Sequence, residues 1–237
     1  MHGNLLMHFA VLVEDLSGKQ ALEILLPKIL DAAHTFTVHA YKGIGHIPSN
    51  MKDPKDASAR ILLSNLPKLL KGYGRTFAGY GPDYRAAVII VCDLDDKNLG
   101  EFLAQLQAIR DQCVPKPDAH FCIAIEEGEA WLLGDLPAVK AAFPKAKSEV
   151  LTAYVNDSIC GTWETFANAV YPGGSKALTR KGWQAIGTEK SRWAFEICPE
   201  MEVAQNASPS FHFLVNTLRT LQLQTTQSTM DPPGNET

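Results

Sequence analysis

An uninterrupted apolar run, Ala86–Cys92, is followed at once by the carboxylates of Asp93, Asp95 and Asp96. A continuous apolar run with β-branched residues is typical of a strand that is buried on both faces, as in a parallel sheet. Carboxylates this close repel one another, so their charge must be offset by hydration or by a cation. A bound cation is the interpretation that the sequence favours, because the same pattern of an apolar run followed by acidic residues recurs in the chain.

Two further apolar runs end in acidic residues. Residues 5–13 predict a first strand followed by Glu14, and residues 120–125 predict a fourth strand followed by Glu126, Glu127 and Glu129. Ligands of an open parallel sheet bind beyond the carboxyl ends of its strands. If the first, third and fourth strands are neighbours, Glu14, Asp93 and Glu126 converge at one edge.

Helical patterns separate the predicted strands. Apolar spacing predicts helices over residues 17–33, 57–71 and 99–113, with Ser17 capping the first and Gly72–Gly74 ending the second. Residues 36–41 alternate and predict the second strand. This order predicts an α/β fold with a mostly parallel sheet flanked by helices.

The second half of the chain shows short helical patterns instead of strands. Ser208-Pro209 is typical of a helix start, because the hydroxyl can cap the helix and proline fits its first turn. We expect an α/β core over residues 1–135, a helical extension packed on it over residues 136–223, and a disordered tail over residues 224–237. Two independent domains are the alternative.

Composition and charge exclude some classes of protein. The net charge of -4 gives no global basic field for nucleic acid, although a local patch is compatible with it. The five cysteines are scattered without a CxxC pair, which favours reduced thiols in a cytoplasmic protein. The apolar run 5–13 is too short to cross a bilayer and lacks the flanks of a signal peptide. We therefore expect no membrane segment.

The acidic strand ends suit a divalent metal. Carboxylate oxygens are preferred by Mg²⁺ and Mn²⁺, and such an ion can activate water and offset charge on a phosphate. Strand periodicity places Asp93 and Asp95 on the same side, which suits shared coordination. Alternatively, each carboxylate simply begins the following helix, where the helix dipole favours negative charge.

A basic segment in the second half is a candidate nucleic-acid surface. Trp183 and Trp193 are interleaved with its cations, which are Lys176, Arg180, Lys181, Lys190 and Arg192. Cations with aromatic residues are typical of such surfaces, and equally of a solvated face over core tryptophans. Residues 42–46, with two glycines, could cradle a phosphate or form a plain turn.

These motifs resemble those of a Toprim domain. That family places a glutamate after strand one and an Asp-x-Asp after strand three, where they bind Mg²⁺ in topoisomerases, primases and overcoming-lysogenization-defect nucleases. Glu14 matches the first position, and Asp93 with Asp95 the second. The resemblance sharpens to the Toprim-like domain of unknown function 4276. The segments that carry it, through about residue 223, are 13–19, 42–46, 92–96, 121–131 and 208–211.

The resemblance implies a Mg²⁺- or Mn²⁺-dependent nuclease that hydrolyses DNA or RNA. Glu14, Asp93 and Asp95 would hold the metal, and Glu127 or Glu129 would complete the site. Glu14 would also serve catalysis, together with a lysine for which Lys176 is the candidate.

The resemblance also implies a partner. Members of this broad group often stand beside ABC- or SMC-type ATPases in bacterial antiphage defence, and homo-oligomerisation within such a complex stays open. One departure is Gly18, which stands where related nucleases often carry a second acid. Loss of that ligand places a two-metal mechanism in doubt. It favours the alternative of a non-catalytic Toprim-like regulatory or sensor subunit of an ATPase complex.

Overall fold

The computed structural model describes residues 6–48, 61–81 and 84–227, without the side chains of residues 225–227. Within these ranges, one sheet of four parallel strands has the order β2-β1-β3-β4. The strands are β1 (Leu6–Val13), β2 (Thr35–Ala40), β3 (Tyr84–Asp93) and β4 (Ala119–Ala124). The predicted α/β fold with a parallel sheet flanked by helices is therefore confirmed.

Three helices make the crossovers that parallel strands require. They are α1 (Leu16–Ile29), α2 (Leu62–Ala78) and α3 (Leu99–Asp111). The second half adds α4 (Glu129–Leu133), α5 (Leu136–Ala142), α6 (Ser148–Ala153), α7 (Thr162–Val170), α8 (Gly174–Thr179), α9 (Trp183–Ile197) and α10 (Pro209–Gln227). None of the helices in the described ranges is both long enough and apolar enough to cross a membrane.

Both faces of the sheet are buried. Successive side chains of a strand point to opposite sides, so neighbouring residues enter different cores. Ile89 of β3 belongs to a core that also contains α1 and the helices of the second half. Its neighbour Ile90 belongs to a second core, formed with α2 and α3. The second half therefore covers one face of the sheet, and α9 packs along α1 there.

Two local predictions were wrong. Asp15, not Ser17, caps α1, since its side chain accepts from the Gly18 N–H at 2.7 Å and from the Ser17 hydroxyl at 2.7 Å. The second helix continues through Gly72 and Gly74 to Ala78. A Cβ at position 74 would lie 2.1 Å from the Pro115 carbonyl oxygen, so this glycine serves a close helix–loop contact and not a helix end.

At the carboxyl-terminal end, the predicted helix start agrees with the structure, and the predicted beginning of the tail does not. Helix α10 begins at Pro209, as the Ser-Pro pair predicted, and the Ser208 hydroxyl accepts from the Phe211 N–H at 3.2 Å. The helix extends to Gln227, so it includes the first residues of the segment expected to be a disordered tail. Residues 228–237 lie outside the described residues.

Candidate functional site

The carboxyl ends of β1 and β3 lie side by side and bring Glu14 next to Asp93. Val13 pairs with Val91 in the parallel register, so the residues that follow reach the same edge of the sheet. The backbone N–H of Asp93 donates to Oε2 of Glu14 at 3.0 Å. Two of the acids that the sequence predicted to converge are therefore neighbours in the fold.

The charged forms of both acids are disfavoured in this position. Burial raises the pKa of Glu14 to about 7, against the hydrogen bond from Asp93, with the charges of Asp15 and Asp95 adding to the rise. Burial and then the charge of Glu14 raise the pKa of Asp93 well above its usual range. A nearby cation would stabilise the charged form of each carboxylate.

Lys190 of α9 supplies a cation to this cluster. Its Nζ lies 2.9 Å from Oε2 of Glu129 and 3.8 Å from Oε1 of Glu127, and its side chain is 15% exposed. Burial lowers the pKa of Lys190, but the charges of Glu129, Glu127 and Asp93 outweigh burial and raise it overall. Lys190 therefore stays protonated among the acids.

A small cavity of about 50 Å³ lies between these groups. Glu14, Asp93, Glu129 and Lys190 all line it, with apolar walls that include Trp131. Gly18 lines it too, and a Cβ there would lie 3.2 Å from Oδ1 of Asp15. An acidic side chain in place of Gly18, such as related nucleases often carry, would therefore crowd Asp15, the residue that caps α1.

Asp95 does not share this cavity, which corrects the expectation of joint coordination with Asp93. The strand β3 ends at Asp93, and Asp95 has a left-handed backbone with a φ of 52°. Its carboxylate lies 2.6 Å from Nζ of Lys97, on the exposed side of the turn. Strand periodicity does not apply beyond the last strand residue, so the two side chains diverge.

Glu126 is bound to a helix and not to the acidic cluster. Its carboxylate accepts from the backbone N–H groups of Cys160, Gly161 and Thr162 at 2.8–3.0 Å, and from the Thr162 hydroxyl. Burial raises the pKa of Glu126, but these hydrogen bonds outweigh burial and lower it. The expected convergence of Glu126 with Glu14 is therefore wrong, and Glu129 takes that place.

Glu127 serves both the helix and the cluster. Its Oε2 accepts from the Trp163 N–H of α7 at 2.9 Å, while Oε1 faces Lys190. Burial raises the pKa of Glu127 to about 7, against the charge of Lys190 and with that of Glu129. Glu127 thus lies at the margin of the cavity, which Glu129 lines directly.

The predicted basic segment divides into an inward and an outward part. Trp193 is buried in the core and Lys190 faces the acids, whereas Trp183 is 84% exposed. Lys176, Arg180 and Lys181 are exposed, and Lys176 does not line the cavity. Arg192 already pairs with carboxylates, since its Nε lies 3.2 Å from Glu189 and 3.7 Å from Glu196.

The spacing of Lys190 relative to the apolar residues of α9 could have identified it as a site residue from the sequence. Lys190 stands four residues after Ile186 and three before Trp193, and both of these residues are buried. Side chains at such spacings share one helix face. A lysine on the apolar stripe of a helix is therefore directed inward, and in this helix the inward side contains the acids.

The donor set fits a divalent cation in its chemistry. Glu14 and Asp93 offer hard oxygen atoms at the cavity, which is the ligand type that Mg²⁺ and Mn²⁺ prefer. Among residues 6–48, 61–81 and 84–227, no three His, Cys, Asp or Glu side chains are grouped closely enough to hold a metal by themselves. Water or a substrate oxygen would have to complete the coordination.

Helix α4, which carries Glu129, is anchored to the start of α10. The indole N–H of Trp131 donates to Oγ of Ser210 at 2.9 Å, and the Trp131 ring lies 5.7 Å from that of Phe211. The Ser208 hydroxyl donates to Oδ1 of Asp157 at 2.7 Å. The segments around Glu129 and Ser208, distant in sequence, thus form one unit beside the cavity.

Comparison with family models places the chain. The model of a family described as a domain of unknown function (DUF4276) matches residues 13–219. The chain belongs to the DUF4276 family. The matched region contains the whole acidic cluster and the contact between Trp131 and Ser210. No curated protein and no solved structure matches this DUF4276 chain significantly.

Proposed function

We propose that this DUF4276 protein is a Mg²⁺- or Mn²⁺-dependent nuclease that hydrolyses phosphodiester bonds of DNA or RNA. The observation that carries the proposal is the meeting of Glu14, Asp93 and Lys190 in one cavity at the carboxyl edge of the sheet. The resemblance of Glu14 and Asp93 to the acids of Toprim nucleases supports the same activity.

Glu14 and Asp93 are the residues that would hold the metal. A bound divalent ion would supply Lewis acidity toward a phosphate oxygen and a more acidic water. Glu129 lines the same cavity, but its Oε2 already lies 2.9 Å from the ammonium of Lys190. We therefore assign Glu129 chiefly to orienting Lys190, and we leave Asp95 and Glu127 out of the direct ligand set.

Lys190 is the residue of this chain best placed to assist the chemistry. Its ammonium reaches the cavity, where it can donate to a phosphate oxygen and offset the charge that develops there. Lys176, the candidate from the sequence, is exposed on α8 and lies outside the cavity. We therefore propose Lys190 in place of Lys176 as the active-site lysine.

A comparison of two aspartate variants tests the nuclease. Asp93→Asn is expected to lower Mg²⁺- or Mn²⁺-dependent cleavage of labelled DNA and RNA about 100-fold or more, because it removes one of the two charged oxygen ligands proposed for the metal. Asp96→Asn is the matched control, since Asp96 is exposed in the same turn. Equal cleavage by wild type and Asp93→Asn would contradict the assignment.

A specific observation favours a second candidate, a non-catalytic regulatory or sensor subunit. Lys190 is a built-in cation for the acids, so part of the negative charge of the cluster is offset without any metal. Titration calorimetry with Mn²⁺ separates the two functions. Binding at millimolar ion by wild type, and none by Asp93→Asn, supports the nuclease. If neither protein binds Mn²⁺, the result supports the regulatory or sensor subunit.

We also propose an ABC- or SMC-type ATPase as partner, in antiphage defence. This part of the proposal is supported by the family resemblance alone. Co-purification of the tagged chain with an ATPase from its native cell would support the partnership. Recovery of the chain alone, or of the same ATPase by an unrelated tagged protein, would count against it.

A further inference from the structure

An exposed patch at the turn between α8 and α9 combines cations with an aromatic ring. Lys176, Arg180 and Lys181 are exposed on α8 and on the residues that follow it. Trp183 begins α9 and is 84% exposed, more than any Phe or Tyr side chain in the described ranges. We call these four residues the α8–α9 patch. Unlike Trp193, Trp183 is therefore not a core tryptophan.

Neighbouring acids do not balance the charge of this patch. Helix α8 packs mainly on α7 and α9. The acid of α7 is Glu164, which lies in the first turn of α7, whereas α8 follows the last turn. The acids of α9 are Glu189 and Glu196, and both already pair with Arg192. No carboxylate of the described residues forms an ion pair with the three cations of the patch.

The charge distribution around the patch has the same sign. Residues 136–197, from α5 to α9, carry eight Lys and Arg against five Asp and Glu, whereas the whole chain carries 22 against 26. No side chain of the described residues caps α9, so the positive end of its dipole adds to the potential. A basic region in an acidic chain is typical of a surface that contacts nucleic acid.

We infer that the α8–α9 patch binds a single strand of nucleic acid. Trp183 would stack on an unpaired base while the cations contact phosphates, a combination that tolerates many sequences. The exposed indole favours this ligand over an acidic peptide, which needs only the cations, and over a duplex, whose base faces are already stacked. The inference rests on the proposed function only in making the strand a substrate, since binding itself needs neither metal nor hydrolysis.

The patch lies on the same helix as the candidate active-site lysine. Trp183 precedes Lys190 by about two helical turns, or about 10 Å along the axis. The side chain of Lys190 lines the acidic cavity. A strand held by the patch is therefore within reach of the proposed catalytic site.

Fluorescence anisotropy with fluorescein-labelled single-stranded DNA and RNA, in EDTA to prevent metal-dependent cleavage, measures binding. Trp183→Ala is expected to bind about tenfold more weakly, because it loses a base–aromatic stack, and Trp183→Phe within about threefold of wild type, because it keeps a ring. Phe213→Ala is the matched control, since Phe213 is exposed on α10. Equal affinity of wild type and Trp183→Ala overturns the inference.

The salt dependence of binding tests the cations. Lys176→Ala and Arg180→Ala should each reduce the slope of log K against log salt by about 0.7, the value for one phosphate contact on a single strand. Arg75→Ala is the control, because Arg75 is exposed on α2, which packs on the other face of the sheet. An unchanged slope in both patch variants overturns the inference.

Two competitors test the class of ligand. A duplex of the same sequence and a poly-glutamate peptide should each bind about tenfold more weakly than the single strand, because neither offers an unpaired base to the indole. Equal or tighter binding of either competitor overturns the inference. If Trp183→Ala loses its helical circular dichroism, Trp183→Gln replaces it, and unchanged affinity in that variant has the same meaning.

Cleavage assays separate this inference from the proposed nuclease. Patch-dependent binding by a wild-type protein that cleaves neither DNA nor RNA would defeat the nuclease and support the inference. Cleavage by a protein whose strand binding is the same in all patch variants would support the nuclease and overturn the inference.

Discussion

The ammonium group of Lys190 lies 2.9 Å from Oε2 of Glu129, in a pair that joins α9 to the helix after β4. This lysine compensates acids at three strand ends, which are Glu14 after β1, Asp93 at the end of β3, and Glu127 with Glu129 after β4. It makes the cluster compatible with folding before any ion or substrate binds. The same contact explains how one basic residue of an otherwise exposed segment became part of the candidate site.

Removal of that cation should destabilise the protein. Lys190→Met keeps most of the side-chain volume but leaves Glu129, Glu127 and Asp93 without their shared counter-charge, so we expect a loss of about 3 kcal/mol in the free energy of unfolding at pH 8. Urea denaturation measures it. Lys176→Met is the control and should change stability by less than about 0.5 kcal/mol, because Lys176 is exposed. Equal losses in the two variants would rule out this role.

Glu14 should make stability depend on pH. Its pKa rises from 4.5 to about 7 on folding, so the folded state binds the proton more tightly than the unfolded state. The contribution of Glu14 is therefore fully present below pH 4.5 and is lost as the pH rises through about 7.

Glu14→Gln tests this dependence, because glutamine keeps an oxygen that can accept from the Asp93 N–H. We expect the variant to be more stable than wild type by up to about 3 kcal/mol at pH 8, with no gain at pH 4. Urea titrations at both values measure the difference. A gain of the same size at both pH values would show that charge is not the cause.

Two glycines of α2 should respond in opposite directions to the same substitution. Gly74→Ala places a Cβ 2.1 Å from the Pro115 carbonyl oxygen and should cost about 2 kcal/mol. Gly72→Ala meets nothing within 4 Å and should stabilise the helix by about 0.5 kcal/mol. Thermal unfolding of both variants checks the pair, and a Gly74→Ala protein as stable as wild type would contradict the role assigned to the contact with Pro115.

Glu126 should matter for stability through its carboxylate and its backbone. Glu126→Ala removes the acceptor for the start of α7 and should cost about 2 kcal/mol. Glu126→Gly removes the same acceptor but suits the φ of 61°, so it should cost about 1 kcal/mol less than alanine. Chemical denaturation distinguishes the two. An alanine variant as stable as the glycine variant would exclude the backbone effect.

The acids of the first and third strands could be predicted because apolar runs locate strand ends, and parallel pairing brings those ends together. The choice among Glu126, Glu127 and Glu129 could not, because it depends on the left-handed backbone at Glu126. The divergence of Asp95 has the same cause. The end of α2 was predicted too early because Gly74 is required by a contact with Pro115, in a loop distant in sequence. Local sequence patterns contain no information about such a contact.

The origin of Lys190 in the ninth helix has a consequence during synthesis. The acids at positions 14 and 93 leave the ribosome long before their counter-charge does. A nascent chain that ends before residue 190 lacks the cation of this cluster and the helix that packs along α1. Completion of α9 would thus supply the counter-charge and cover α1 in the same event, while α10 completes the core afterwards.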